Sequence, residues 1–430
     1  MADSPSTLSA PGWWPRLKRH VALDLTPLRE SREYRLLFTG QFVSAFGSAI
    51  TYVILPWQMF QLTQSTLYVG LLGLAEFFPM FFLSFAGGAL ADAIDRRKLI
   101  LTAECGLALC CVALTCNALL AQPHVWLLFF GAAWSAGFNA IHRPALESLT
   151  PQLVRPEHLP AVSALASLRS FMFVVGPAIA GMIAAGFGAA LGFAINFATY
   201  LVAIVALLRM RGMPVPKGAP RMTLSTVLEG LRYARKHGEL LGTYLIDINA
   251  MFFAMPIVLF PALAQDFGHV SVGWFYSTLA LGPLLVSLTS GWTRRVQRHG
   301  RAIILAVVVW GIAVAGFALA HSLWLALLCL LLAGAADGVS GIFRMTVWNQ
   351  SIPDRLRGRM ASVEMMSYLT GPYLGNAQVG FSASLLGLHT GIAGGGLACV
   401  LGAVLLAALL PRFYRYHSEE GIAHKRAEEA

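Results

Sequence analysis

Six ionisable side chains stand inside long apolar runs of this sequence, and they are the residues best placed to do chemistry. Glu76 sits in Leu74-Ala75-Glu76-Phe77, and Asp247 in Leu245-Ile246-Asp247-Ile248. Glu104, Asp337, Glu364 and Arg169 are flanked in the same way. A charge in hydrocarbon costs roughly 2.5–3.5 kcal/mol even on the lenient insertion scale, so such residues face a cavity or a partner and mark ion or substrate paths. A carboxylate in an apolar cavity favours its neutral acid and can carry a proton. Glu76 and Asp247 lead as proton sites, being farthest from the polar turns, with Glu104, Asp337 and Glu364 as further candidates. For each, the competing reading is a polar group that only bonds across to a neighbouring helix. Arg169 is read as a substrate contact or as the neutraliser of a carboxylate. Gln41, Asn249, Phe252, Phe253 and Asn376 are further candidates to line a cavity.

No other chemistry is signalled. There is no HExxH, no phosphate loop of the form GxxxxGK[ST], and no cluster of His, Cys and carboxylates at metal-ligand spacing. A catalytic residue, a metal and a cofactor are therefore not expected. The six cysteines lie in apolar runs without CxxC spacing and read as small core hydrophobes.

The elements that hold these residues follow from composition. Of 430 residues 57% are hydrophobic and 12% charged, with mean hydropathy +0.65. A soluble domain carries about 25% charged residues. The pattern predicts an all-α polytopic membrane protein with twelve transmembrane helices. The spans fall near 36–60, 67–90, 99–121, 125–142, 160–184, 189–208, 241–264, 272–292, 302–320, 323–343, 360–386 and 392–410. The eleventh is expected to be interrupted at Gly371-Pro372. The organisation is a basic N-terminal segment 1–35, a six-helix half 36–208, a linker 209–240 with an amphipathic helix, a second half 241–410 and a charged, frayed tail 411–430. No cleavable signal peptide is visible in the first 35 residues.

All 31 Lys and Arg residues then fall on one face of the membrane. The positive-inside rule puts that face, and both termini, in the cytoplasm. The formal charge of +10 marks a membrane face and does not imply nucleic acid.

Two hairpins carry related chemistry. Gly87-Gly88-Ala89-Leu90-Ala91-Asp92-Ala93-Ile94-Asp95-Arg96-Arg97-Lys98 joins spans two and three, and Gly291 to Arg301 joins spans eight and nine. Ala140-Ile141-His142-Arg143 and Gly341-Ile342-Phe343-Arg344 also correspond, at an offset of about 201 residues, which points to two repeated halves. Gly88, Asp92, Arg96, Arg97 and Lys98 form a candidate gating hairpin, with Arg143 as the expected partner of Asp92.

On these residues the chain resembles the major facilitator superfamily over about residues 30–410. Gly88, Leu90, Ala91, Asp92, Arg96, Arg97 and Lys98 match the signature of the second–third helix turn, while Ala93 and Asp95 depart from it. Phe260-Pro261-Ala262-Leu263-Ala264, Leu288-Thr289-Ser290-Gly291 and the stretch from Pro353 to Arg359 look like the branch of enterobactin exporters and transmembrane secretion effectors. The resemblance implies a secondary transporter in the bacterial inner membrane, exporting a siderophore or another amphipathic small molecule in exchange for protons. Its expected partners are the solute, protons and membrane lipids, and it is expected to act as a monomer. The alternatives are multidrug-type efflux, import of a small solute by the same fold, and a non-transporting membrane receptor.

Overall fold

A computed structural model describes residues 24–211, 224–268, 271–353 and 356–429. Every element in them is helical. Long helices run over Arg32–Thr63 (α1), Thr66–Ala93 (α2), Arg96–Leu119 (α3), Val125–Leu149 (α4), Leu159–Gly186 (α5) and Ala189–Arg209 (α6). They continue over Gly238–Phe253 (α7), Ser271–Leu288 (α8), His299–Ala318 (α9), Leu323–Ser351 (α10), Arg357–Leu386 (α11) and Leu388–Leu409 (α12). Among the described residues ten helical stretches are long and apolar enough to cross a membrane. Of the two others, α8 is a shorter apolar helix and α11 is 30 residues long but less apolar.

The packing repeats. Helix α1 lies against α5 and α6, α2 against α4, and α3 against α4 and α6. Adding six to each label gives the second set: α7 against α11 and α12, α8 against α10, and α9 against α10 and α12. The two sets meet through α2 with α11 and α5 with α8. Glycines set these crossings. A Cβ on Gly70 would meet the backbone of Gly380, and one on Gly273 would meet Pro177 and Gly181. With no side chain between them the backbones can touch, as small residues allow in membrane helices.

Several expectations change here. The seventh apolar run is not one helix: α7 stops at Phe253, Ala254–Pro256 are non-helical, and a 3₁₀ turn covers Ile257–Leu259. The break occurs at Pro256, which has no N–H to give; just beyond it the Ile257 carbonyl accepts from the Phe260 amide and, at 3.0 Å, from the Tyr276 hydroxyl. Conversely, α11 passes through Gly371-Pro372 unbroken. Gly371 is buried against Met251, so the neighbouring helix holds the turn in place. Helices α4 and α10 outrun their expected ends, because Leu146 and Leu149, and Val347 and Trp348, are buried by neighbouring helices.

The tail is ordered rather than frayed. It forms helices Pro411–Tyr414 and Ser418–Glu429. Phe413 is fully buried, packed where Gly242 leaves room. The Tyr416 hydroxyl lies 3.0 Å from Ser351 Oγ, and Ser418 Oγ donates to Gln297 Oε1 at 2.6 Å. Cys105 and Cys116 are exposed, so they are not core residues; they face outward from α3.

The first hairpin is tighter than its sequence suggests, since α2 continues to Ala93. Asp95 caps α3, its carboxylate accepting from the Arg97 amide at 2.9 Å. Arg96 donates to the Ser148 carbonyl at 2.9 Å, and Arg97 to those of Leu207 and Leu208 at 2.7 and 2.9 Å. These cations therefore satisfy carbonyls at the ends of α4 and α6, where the helix dipole favours positive charge. The side chain of Asp92 and the surroundings of Gly88 lie outside the described residues; Arg143 donates to Glu147 at 2.9 Å on its own helix.

Candidate functional site

Three adjoining spaces are found, the first two between the two sets of helices and the third among α7, α8, α10 and α11. The first, about 190 Å3, lies among α1, α2, α3, α4, α6, α8, α11 and the broken stretch after α7. Its polar wall comes from Ser48, Thr51, Tyr52, Glu76, Ser135, Asn139, Asn196, Tyr200, Tyr276, Tyr373 and Asn376. The second, about 220 Å3, shares Tyr52, Ile257 and Tyr276 with the first and is lined by Phe173, Met251, Met255, Leu279, Pro283, Trp310 and Asp337. The third, about 640 Å3, shares Met251, Pro283 and Asp337 with the second. It contains Asp247 and Arg344 and reaches Met345, Thr346 and Asn349 at the cation-rich end of α10.

Local bonds fix the first chamber. Asn196 Nδ2 donates to Thr51 Oγ1 at 2.7 Å, and the hydroxyls of Ser48 and Tyr200 are 3.1 Å apart, so α1 and α6 are tied together. Tyr52 and Tyr276 meet edge to face at 5.4 Å across the two helix sets. The break after α7 brings Ile257 and Val258 into the wall; irregular backbone is tolerated at membrane depth where it lines a cavity or is buried in protein. Toward the opposite end the space narrows where Gly70 meets Gly380 and Gly73 meets Tyr373 and Asn376. Beyond it Gln265 Nε2 donates to Gln64 Oε1 at 3.2 Å, joining the loops of the two sets.

The sequence candidates divide by environment. Glu76 lines the first chamber, and its carboxylate has no hydrogen bond or ion pair among the described residues. Asp337 lines the second and third spaces, with Oδ1 3.9 Å from Arg344 Nη2. Asp247 is 5% exposed, forms an ion pair with Arg344 Nη1, and accepts from Ser367 Oγ at 3.3 Å. It thus joins α7, α10 and α11. Glu104 is fully buried in a different cluster: it accepts from Gln41 Nε2 at 2.8 Å, with Ser44 Oγ at 3.5 Å and His142 Nε2 at 3.1 Å. That cluster joins α1, α3 and α4 and takes Gln41 out of the cavity wall.

The remaining candidates lie apart from the chambers, Asn376 excepted. Asn249 donates to the Cys399 carbonyl at 2.9 Å and packs on Gly402 of α12. Phe252 and Phe253 stack edge to face at 5.0 Å, and Phe253 packs into the core. Glu364 is half-buried near Arg344, Arg143 and Glu147, and Arg169 is half-buried near Glu147 and Arg143. Asn376 lines the first chamber with an unpartnered Oδ1.

Sequence reasoning missed the tyrosines of the first chamber, the methionines of the second, and Arg344 as the cation beside Asp247. The tyrosines were discoverable: a hydroxyl mid-span needs a partner or a wet surface. Among the described residues no group of three or more His, Cys, Asp or Glu is arranged to hold a metal ion.

Comparison with known proteins gives this geometry a lineage. A family profile described as "Transmembrane secretion effector" matches residues 22–428. The enterobactin exporter EntS of Shigella boydii serotype 18 is 27% identical over 404 residues, covering 93% of this chain and 97% of that exporter. EntS of Escherichia coli O81 gives the same figures. Among solved structures the nucleoside transporter NupG superposes with a TM-score of 0.70 at 14% identity, covering 89% of this chain and 99% of NupG. A bacterial homolog of the human lysosomal transporter Spinster, in an inward-facing and unoccupied conformation, gives 0.68 at 14% identity, covering 91% and 97%. At these identities the structural likeness establishes the fold. The chain is a transporter and not an enzyme: it belongs to the transmembrane secretion effector family of the major facilitator fold.

Proposed function

We propose that this protein is a proton-coupled secondary exporter of an amphipathic small molecule, a siderophore being the cargo that its relatives suggest. In this reading α1–α6 and α7–α12 are two six-helix halves of twelve spans. The stretch 209–240 joins them, and both termini are cytoplasmic in a bacterial inner membrane. The protein works as a monomer by alternating access. The observation that carries the reading is the chambered space between the helix sets. Glycine contacts bring the two sets together toward the cation-free end, and a further space that shares Asp337 with the second chamber lies within α7–α12 toward the cation-rich end.

Glu76 is the proton site that the surroundings favour, because no cation holds its carboxylate among the described residues. Asp337, at the junction of the second and third spaces, is the next. Asp247 takes a different part: bound to Arg344 and Ser367, it clasps α7, α10 and α11 at the end that must open and close. Asp92 and Arg143 remain the proposed gating residues of the first hairpin. The test is solute flux in sealed proteoliposomes with and without an imposed pH gradient, over a panel including catecholate siderophores and multidrug-type compounds. Accumulation against a solute gradient only when the pH gradient is present is the expected result. Indifference to the gradient removes proton coupling, and accumulation in the direction of import reverses the assignment.

A further inference from the structure

We propose that the cargo of the first two chambers is an organic cation with an apolar body, its charge held by Glu76 and its body by the methionine and aromatic wall beyond. This rests on the exporter reading above and takes a cation as cargo in place of the siderophore that the relatives suggest. Three observations carry it. Among the described residues no Lys, Arg or His lines either chamber, whereas each holds one carboxylate, Glu76 in the first and Asp337 in the second. An anion entering here would add negative charge beside two acids in a medium where little screens it. Arg344, the guanidinium that lines the third space, is already engaged by Asp247.

Glu76 itself is the second observation. A carboxylate withdrawn from bulk water without a hydrogen-bonded partner is unfavourable by several kcal/mol in its charged form. A cationic ligand removes that cost. Tyr52, Tyr276 and Tyr373 line the same chamber as Glu76. Aromatic faces attract cations most strongly where water is excluded. The unpartnered Asn376 Oδ1 adds an acceptor on the same wall.

Third, the polar first chamber and the apolar second one adjoin, with Tyr52, Ile257 and Tyr276 as their shared wall. An elongated ligand spanning both would set its charge at Glu76 and its hydrocarbon against Met251, Met255 and Phe173, side chains that adapt to varied shapes. Trp310 offers that body a ring and an unpartnered indole N–H, which suits a ligand that also carries an acceptor. Exchange follows from the charge count: one proton on Glu76 removes the counter-charge and displaces one cation.

The experiment compares two ions of the same tetraphenyl shape and opposite charge on the full-length purified protein. Equilibrium binding of tetraphenylphosphonium is expected to be saturable and roughly tenfold or more tighter than that of tetraphenylborate. Glu76→Gln is expected to weaken phosphonium binding by roughly tenfold. Glu76→Asp retains most of it, as does Glu239→Gln at the surface start of α7. Equal or tighter binding of the borate overturns the assignment, and this comparison on the unaltered protein stands even if a variant fails to fold. Wild-type phosphonium affinity in both Glu76→Gln and Asp337→Asn also overturns it. Phosphonium binding without gradient-driven flux leaves the assignment and removes the proton-coupled reading. Gradient-driven flux of an anionic siderophore by a protein that does not bind the phosphonium does the reverse.

Discussion

The Asp247–Arg344 pair is the sharpest place to test whether electrostatics hold the cation-rich end together. Each residue is 5% exposed. Removing one member of a buried pair leaves the other charged and uncompensated, at a cost of about 3–5 kcal/mol. The surroundings rank the two single variants. In Asp247→Asn the guanidinium can turn to Asp337, 3.9 Å away, so the loss is expected at the lower end, about 3 kcal/mol. In Arg344→Met the Asp247 carboxylate keeps only the Ser367 hydroxyl at 3.3 Å, and the loss is expected near the upper end, about 5 kcal/mol. The double variant buries no unmatched charge at this pair and is expected to lie within about 1 kcal/mol of the parent, because apolar replacement of a buried pair is often neutral. The coupling energy, the two single losses less that of the double variant, should then be about 7 kcal/mol, well outside additivity. The assay is equilibrium unfolding in mixed micelles followed by circular dichroism. Additive losses, or a double variant less stable than either single one, would refute the clasp.

Four further outcomes are expected. Asp247→Asn should retain solute binding and gradient coupling better than Glu76→Gln; the opposite order in proteoliposome flux would return the proton to Asp247. Gly380→Val should block the crossing with Gly70 and stop transport at normal membrane abundance, measured as flux per mole of protein. Asp95→Ala should cost about 1 kcal/mol through the lost cap on α3, read by the same unfolding assay. Cysteines placed at Gln265 and His389 should react with an impermeant thiol reagent outside intact cells while one at Gln297 stays unlabelled; exterior labelling at 297 would invert the helix count.

The helices were legible because hydrocarbon thickness sets the length of an apolar run. The break in α7 was not. Residues 241–264 stay apolar across Ala254–Pro256, and hydropathy registers neither the lost helical hydrogen bond nor the Tyr276 hydroxyl that holds the Ile257 carbonyl from nineteen residues on. Gly371-Pro372 misled in the other direction, since Met251 against Gly371 cannot be read from local sequence. Charges inside spans stood out, yet their surroundings did not. Glu76 and Asp247 look alike in sequence, each a lone acid among aliphatic neighbours. What separates them is Arg344, ninety-seven residues along the chain. His142 was visible at a membrane edge, but its approach to Glu104 depends on how α3 and α4 pack. The tail's charge suggested solvent, while Phe413, Tyr416 and Ser418 dock it on the helices.

That docking bears on how the protein is made. The segment from Pro411 is translated after the twelve long helices, and Phe413 fits against Gly242 of α7, whose residues were synthesised long before. Until then the cation-rich ends of α7, α9 and α10 lack the contacts that Phe413, Ser418 and Tyr416 provide. The first six helices pack on one another and can mature while synthesis continues. The second set is complete only once the segment from Pro411 has been made, and a nascent chain stalled before it would carry an open seam at the cation-rich end, marking it for proteolysis.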